Sequence, residues 1–304
     1  MMSVIGVSLD VAPGRAVPRV PFMERTTPGN GQEPHRWPAG IAGRVVLGGY
    51  GGVAYLLSLI SVAYLSGFLA DVGVPKTIDS GPPGSTDSAL AIDGALVLVF
   101  ALQHSVMARP RFKESWSRLV PFAAQRSTYV LTTSAALLIM FWLWRPVPTT
   151  VWQMTGWPGE GLLVMYAAAV VFTIAVTFQI SHTDMFGLRQ AYHAVTHRPY
   201  VAPHFTRRGL HGRMRHPLMT GLLLVIWVTP HLSVGHLLLA TASTGYIMIG
   251  TRWEERDLIT ALGRVYVEYR QQVPAFLPLH RRPPGRLDGG STAWNQRHAR
   301  IETR

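Results

Sequence analysis

Four stretches of the chain, 45–69, 89–107, 128–144 and 161–181, are apolar on all sides rather than along one stripe. A helix on a water-soluble core keeps one polar face, whereas a helix apolar all round is buried in protein or in lipid. Each stretch is close to the roughly 20 residues that a bilayer core of about 30 Å demands. A fifth apolar region, 218–250, is interrupted at Pro230-His231 and predicts a helical hairpin. Its first arm, 218–229, rises about 1.5 Å per residue and is short for a full crossing. Pro217 suits the first helical position, where no N–H is needed. After 250 the pattern changes: Trp253, Leu258, Leu262, Val265 and Tyr269 recur at helical spacing between Glu255, Arg256, Arg264 and Glu268. That spacing predicts an amphipathic helix on a membrane surface, ended by Pro274 and Pro278. The expected fold is all-α: a polytopic membrane helical bundle of five to six transmembrane helices, including the C-terminal hairpin, plus the surface helix.

Charge gives the bundle a direction. The segment 70–88 carries Lys76 against Asp71, Asp79 and Asp87, and 145–160 carries a single cation, Arg145. By contrast, 108–127 holds Arg109, Arg111, Lys113, Arg118 and Arg126, and 182–217 holds Arg189, Arg198, Arg207, Arg208, Arg213 and Arg215. Basic loops stay in the cytosol, so both termini and these two loops are expected there. The net charge of +12 would suit a nucleic-acid binder, but the cations fall between long apolar runs and not on a soluble face, so no nucleic acid is expected. The chain has no cysteine, which excludes disulfides, thiol nucleophiles and Cys-ligated metal. Residues 1–43 lack a 7–15-residue apolar core and are not read as a cleavable signal. They and the basic stretch 279–304 are expected to be disordered tails around a membrane domain spanning 44–278.

The polar residues with chemistry collect on the cytosolic side. His182, His193, His197, His204, His211 and His216 lie in or beside the fourth loop. The His193–His197 spacing would put two imidazoles on one helical face, yet no HxxHH box accompanies it, so no metal is expected. Within the spans, Asp93, Gln103, His104 and Gln179 cost energy unless partnered. Asp93, near the outer end, is expected to reach water. Glu254-Glu255 follow the last apolar run and could pair with Arg215 or hold a cofactor's hydroxyls or amine.

Three segments taken together, "RHPLMTG" opening the hairpin, "EERDL", and "YVEYRQQVPAFLP", resemble the C-terminal half of the isoprenylcysteine carboxyl methyltransferase-like membrane methyltransferases. The resemblance implies an S-adenosylmethionine pocket formed by Arg215, His216, Pro217, Met219, Gly221, Glu254, Glu255, Tyr266 and Tyr269. Met219 stands where that superfamily usually has Tyr; a thioether can still pack on an adenine. Further segments, "FALQHSVMARPRFKESW", "RSTYVLTTSAALL", "FWLWRPVPTTVW" and "SHTDMFGLRQAY", are similar to the bacterial methanethiol S-methyltransferases, over about 44–278. Relatives there often have Glu where this chain has Gln125. That family makes dimethyl sulfide from a small thiol. A thiol reacts as its thiolate, so His104 and His182 are the candidate proton acceptors and Arg126 the candidate activating cation. Other readings of the same pattern are a methyltransferase acting on another thiol or carboxylate, a non-enzymatic NnrU-like membrane protein, and a His-box oxygenase.

Overall fold

The computed structural model describes residues 40–82, 84–198, 200 and 209–278. Residues 1–39 and 279–304 of the tails read as disordered, and also His204, Arg207 and Arg208, lie outside the described residues, whereas residues 41–43 of the expected N-terminal tail are helical and open the first span. Four helices are long and apolar enough to cross a membrane: α1 (Ile41–Ala70), α2 (Thr86–Ala108), α4 (Phe122–Leu143) and α5 (Trp157–Ile180). In lipid each backbone N–H and C=O must find its partner inside the segment, and a helix does this for every residue. The boundaries follow local signals. Ser85 caps α2 by accepting the Ser88 N–H, and Pro158 sits in the first turn of α5. Many large side chains on these helices face outward, among them Val46, Val99, Val164, Val171 and Phe178. Such a surface is unsuited to water and suited to acyl chains.

α1 and α4 run side by side in the same direction. Tyr50 is bonded to Thr128 near one end, and Phe68 packs on Phe141 and Trp144 near the other. α2 runs antiparallel beside α4. Small residues bring backbones close, as expected where lipid gives no hydrophobic drive between helices. Gly51 of α1, for instance, abuts Ala191 of α7 (Leu188–Val195). The remaining elements are two short helices, α3 (Pro110–Trp116) and α6 (His182–Met185), then α8 (Pro217–Trp227), α9 (Val234–Leu262) and α10 (Arg264–Gln272). α9 packs on α2, and α8 packs on α5.

The C-terminal third departs from the sequence pattern. The first arm of the hairpin is indeed short, 11 residues in α8. The second arm and the start of the expected surface helix are one continuous helix, α9, of 29 residues. No proline lies at 250–252, and Gly250 is carried inside α9, so the change from apolar to amphipathic character does not interrupt the backbone. The break comes at Gly263, whose φ of 57° favours glycine, and α10 follows. At the opposite end two short strands unseen in the sequence, β1 (Thr150–Gln153) and β2 (His231–Ser233), pair antiparallel and tie the 145–160 loop to the hairpin tip. Asp93 does not reach water. It is 0 % exposed and accepts the Arg145 backbone N–H at 2.9 Å.

Candidate active site

The bundle end where α2 and α5 finish and α4 and α8 begin carries two groups of polar side chains. The first is built around the entry to α8. The backbone N–H groups of Arg215 and His216 donate to the carbonyls of Pro274 and Ala275, both at 2.9 Å, and Thr220 Oγ1 donates to Phe276 at 2.8 Å. The segment after α10 is thereby laid against the start of α8. Arg215 Nε and Nη2 both lie 2.7 Å from Glu255 Oε1, and Nη1 donates to the Arg270 carbonyl at 3.0 Å and to that of Val273. His216 Nε2 is 3.0 Å from the same Glu255 oxygen, while its Nδ1 is 4.0 Å from Glu254 Oε2. Burial alone would raise the Glu255 carboxyl, but hydrogen bonds from His216 and Arg215 and the Arg215 charge outweigh it and hold it below the usual range.

Around this knot the side chains are buried and largely apolar. Tyr266 and Tyr269 pack at 5.7 Å between ring centres, and Tyr269 Oη donates to the His211 carbonyl at 2.5 Å. Burial, and then the nearby Glu255 charge, push the Tyr266 phenol up. Pro217 and Met219, which follow His216 in sequence, are buried as well. Of the nine residues expected in the cofactor pocket, Arg215 and His216 lie just before α8 and the other seven sit on α8, on the charged part of α9 or on α10. Gly221 stands apart: a Cβ there would come 2.4 Å from Thr173 Oγ1 and 3.2 Å from Thr173 Cα, so it serves the close crossing of α8 on α5.

The second group lies deeper. His104 of α2 has Nδ1 3.2 Å from Thr133 Oγ1 and Nε2 2.8 Å from Tyr129 Oη, both on α4. The Arg126 guanidinium stands 5.1 Å over the Tyr129 ring, and its Nε donates to the Met185 carbonyl at 2.8 Å. Tyr246 of α9 closes the other side, edge-on to His104 and accepting a hydrogen bond from Ser105 at 3.1 Å. His182 opens α6 directly after Ser181, a non-glycine residue held at φ 128°, a strained conformation of the kind found at functional sites. Its ring stacks on Phe178 at 4.3 Å, with Nε2 3.0 Å from Tyr55 Oη and Nδ1 2.7 Å from Thr177 Oγ1. Burial lowers the His182 pKa, which favours the neutral imidazole a base requires. Since Tyr50 is level with Thr128, Tyr55 is level with the Thr132–Thr133 turn that holds His104. The two histidines share a depth.

Asp184 fixes the loop that carries His182. It is 2 % exposed and accepts from Ser181 at 2.7 Å, Arg189 at 2.7 Å and Tyr200 at 2.9 Å. Asp184, Tyr55, Tyr129 and Tyr246 carry no distinguishing signal in the sequence: Asp184 is an acid in a basic loop, and a phenol in a span has the pattern of an ordinary apolar position. Gln125 turns back to the Val120 carbonyl at 3.2 Å. The HxxxH geometry is lost: α7 ends at Val195 and His197 has φ 52°, so His193 and His197 share no helical face. The two polar groups are stacked along α9. Tyr246 and Glu255 are nine residues apart on it, about 13 Å of rise.

No family model and no solved structure matches the chain. Curated relatives do. Methanethiol S-methyltransferase 2 of Bradyrhizobium diazoefficiens is 44% identical over 229 residues, 75% of this chain and 88% of that one. Methanethiol S-methyltransferase of Mycobacterium tuberculosis is 41% identical over 75% of this chain and 94% of its own. Nurim of Homo sapiens is a more distant relative, 30% identical over 56% of this chain and 68% of its own. On this likeness, and with a helical membrane bundle to match, the chain belongs to the methanethiol S-methyltransferase family.

Proposed function

We propose that the protein methylates methanethiol to dimethyl sulfide with S-adenosylmethionine, by in-line transfer to the thiolate at the cytosolic face of the membrane. The observation that carries this reading is the 40–44% identity, over most of their length, to relatives named for that reaction. The cytosolic assignment rests on the basic loops at the bundle end where both polar groups lie. The residues present suit the methyl donor. Glu254 keeps a carboxylate largely uncommitted, its one ion-pair contact among the described residues reaching only 4.0 Å, for ribose hydroxyls or an amine. Met219, Tyr266 and Tyr269 supply an apolar, aromatic wall for an adenine.

S-adenosylmethionine, when bound, supplies a methyl group on a positively charged sulfur. The chain's own task is to deprotonate the thiol, hold it in line and exclude water. His104 or His182 takes the thiol proton, with Tyr129 or Tyr55 hydrogen-bonded to the ring nitrogen as orienting partner. Arg126 favours the anion by its charge. The C–S bond to the donor breaks as the new C–S bond forms, leaving dimethyl sulfide, S-adenosylhomocysteine and one proton. Arg215, His216, Pro217 and Glu255 hold the start of α8 against α9 and α10, and Gly221 lets α8 approach α5, so that the donor-facing residues stay in place. In this reading the substrate is a small thiol and the surroundings are a lipid bilayer. Calorimetry with S-adenosylhomocysteine tests the pocket: Glu254→Ala should bind it at least about 10-fold more weakly, the loss of one hydrogen bond to a charged group. Unchanged affinity would remove Glu254 from the pocket.

A further inference from the structure

The donor's amino-acid end carries a carboxylate, and a carboxylate taken out of water needs a cation with free N–H groups. Arg215 looks like the obvious partner in sequence but is already committed. Its Nε and Nη2 are on Glu255 and its Nη1 is on two backbone carbonyls.

Arg126 is differently placed. It is partly buried near the start of α4, and its one hydrogen bond among the described residues is from Nε to Met185. Both of its terminal Nη groups lack an acceptor there. Asp184, the acid whose charge reaches it, is occupied by Ser181, Arg189 and Tyr200. A second cation adjoins it. Lys113 of α3 is partly buried, its side chain has no hydrogen bond or ion pair among the described residues, and burial followed by the nearby Arg126 charge draws its pKa down to about 8. Trp116, one turn further along α3, has its indole Nε1–H buried without an acceptor among the described residues. Glu114, the one acid on α3, is exposed. Arg126 and Lys113 thus lie within reach of each other's charge, neither in an ion pair among the described residues, one helical turn above the Tyr129–His104 pair, and Trp116 follows Lys113 by one turn of α3.

We propose that Arg126 and Lys113, with the Trp116 indole N–H, bind the α-carboxylate at the amino-acid end of the methyl donor. The inference rests on the proposed use of S-adenosylmethionine and adds to Arg126 the task of orienting the donor. Two ligands separate the claims: S-adenosylhomocysteine carries the carboxylate, and 5′-methylthioadenosine has the same adenosine and sulfur without it. The full chain in detergent micelles, titrated with each by calorimetry, should bind S-adenosylhomocysteine more tightly. Arg126→Gln should weaken S-adenosylhomocysteine by about 10- to 100-fold, the range for a hydrogen bond to a charged group, and leave 5′-methylthioadenosine within about 2-fold. Lys113→Gln, on the short edge helix, should show the same selectivity with a smaller loss. It decides alone if Arg126→Gln does not fold. Unchanged S-adenosylhomocysteine affinity, or equal weakening of both ligands, overturns the assignment. Wild-type protein that binds neither ligand overturns the donor reading itself, and this inference with it.

Discussion

Glu255 and Glu254 are neighbours in sequence, yet the structure assigns them different work, and truncating each in turn separates the two. Glu255 Oε1 takes two Arg215 nitrogens at 2.7 Å and His216 at 3.0 Å, with Arg215 side-chain exposure of 7 %. Glu255→Ala leaves that guanidinium buried without its counter-charge. Breaking a buried pair by removing one partner costs about 3–5 kcal/mol. The carbonyls of Arg270 and Val273 still hold Arg215 Nη1, so the lower figure, about 3 kcal/mol, applies. For a folded domain of this size each kcal/mol moves the melting midpoint by about 2–4 °C, giving a fall of roughly 6–12 °C. The nine tryptophans provide the signal in detergent micelles by intrinsic fluorescence. Glu254→Ala loses one contact at 4.0 Å, worth no more than about 1 kcal/mol, and should melt within about 4 °C of the parent. The double variant Arg215→Met/Glu255→Leu should be milder than Glu255→Ala, since removing both charges leaves none stranded. A Glu255→Ala protein melting within 2 °C of wild type would refute the claim that this pair staples α8 to α9.

Acid should loosen the same staple. The folded Glu255 carboxyl sits below its ordinary value of 4.5, so its stabilising contribution is complete above about that pH and drains away as the pH falls below it. The acid limb of the melting curve should therefore be flatter in Glu255→Gln than in wild type, and identical limbs would contradict the shift. Gly221→Ala pushes a Cβ to within 2.4 Å of Thr173 Oγ1. Overpacking of this kind costs about 1–3 kcal/mol, and adding Thr173→Ala should recover part of it, so no recovery would place the strain elsewhere. Tyr129→Phe and Tyr55→Phe ask which histidine moves the proton. The variant next to the true acceptor should lose at least about 10-fold in kcat with KM little changed. If both retain full kcat, neither phenol orients the base.

The sequence made the membrane part legible because lipid imposes a coarse rule: long, uniformly apolar stretches become helices. The first three spans are found within six residues of their starts and the fourth, read as 161–181, is observed as Trp157–Ile180. The surface helix after 250 was misplaced because amphipathicity shows which faces meet water, not where a helix bends, and Gly263 alone sets the bend. The Arg215–Glu255 pairing was open in sequence as one of two options, since 40 residues of chain give no distance. The hydroxyl partners of His104 and His182 were invisible for a different reason. Tyr55, Tyr129 and Thr133 become site residues only through the side-by-side register of α1, α2 and α4, a tertiary fact with no local signature. The free donors of Arg126 likewise emerge only when Arg215 is seen to be committed.

The most direct test of the account is the reaction itself. Purified protein in detergent or liposomes, given methanethiol and S-adenosylmethionine, should release dimethyl sulfide into the headspace, measured by gas chromatography, with one S-adenosylhomocysteine formed per molecule. Absence of dimethyl sulfide from protein that binds S-adenosylhomocysteine would contradict the assigned substrate and leave a methyltransferase acting on another acceptor.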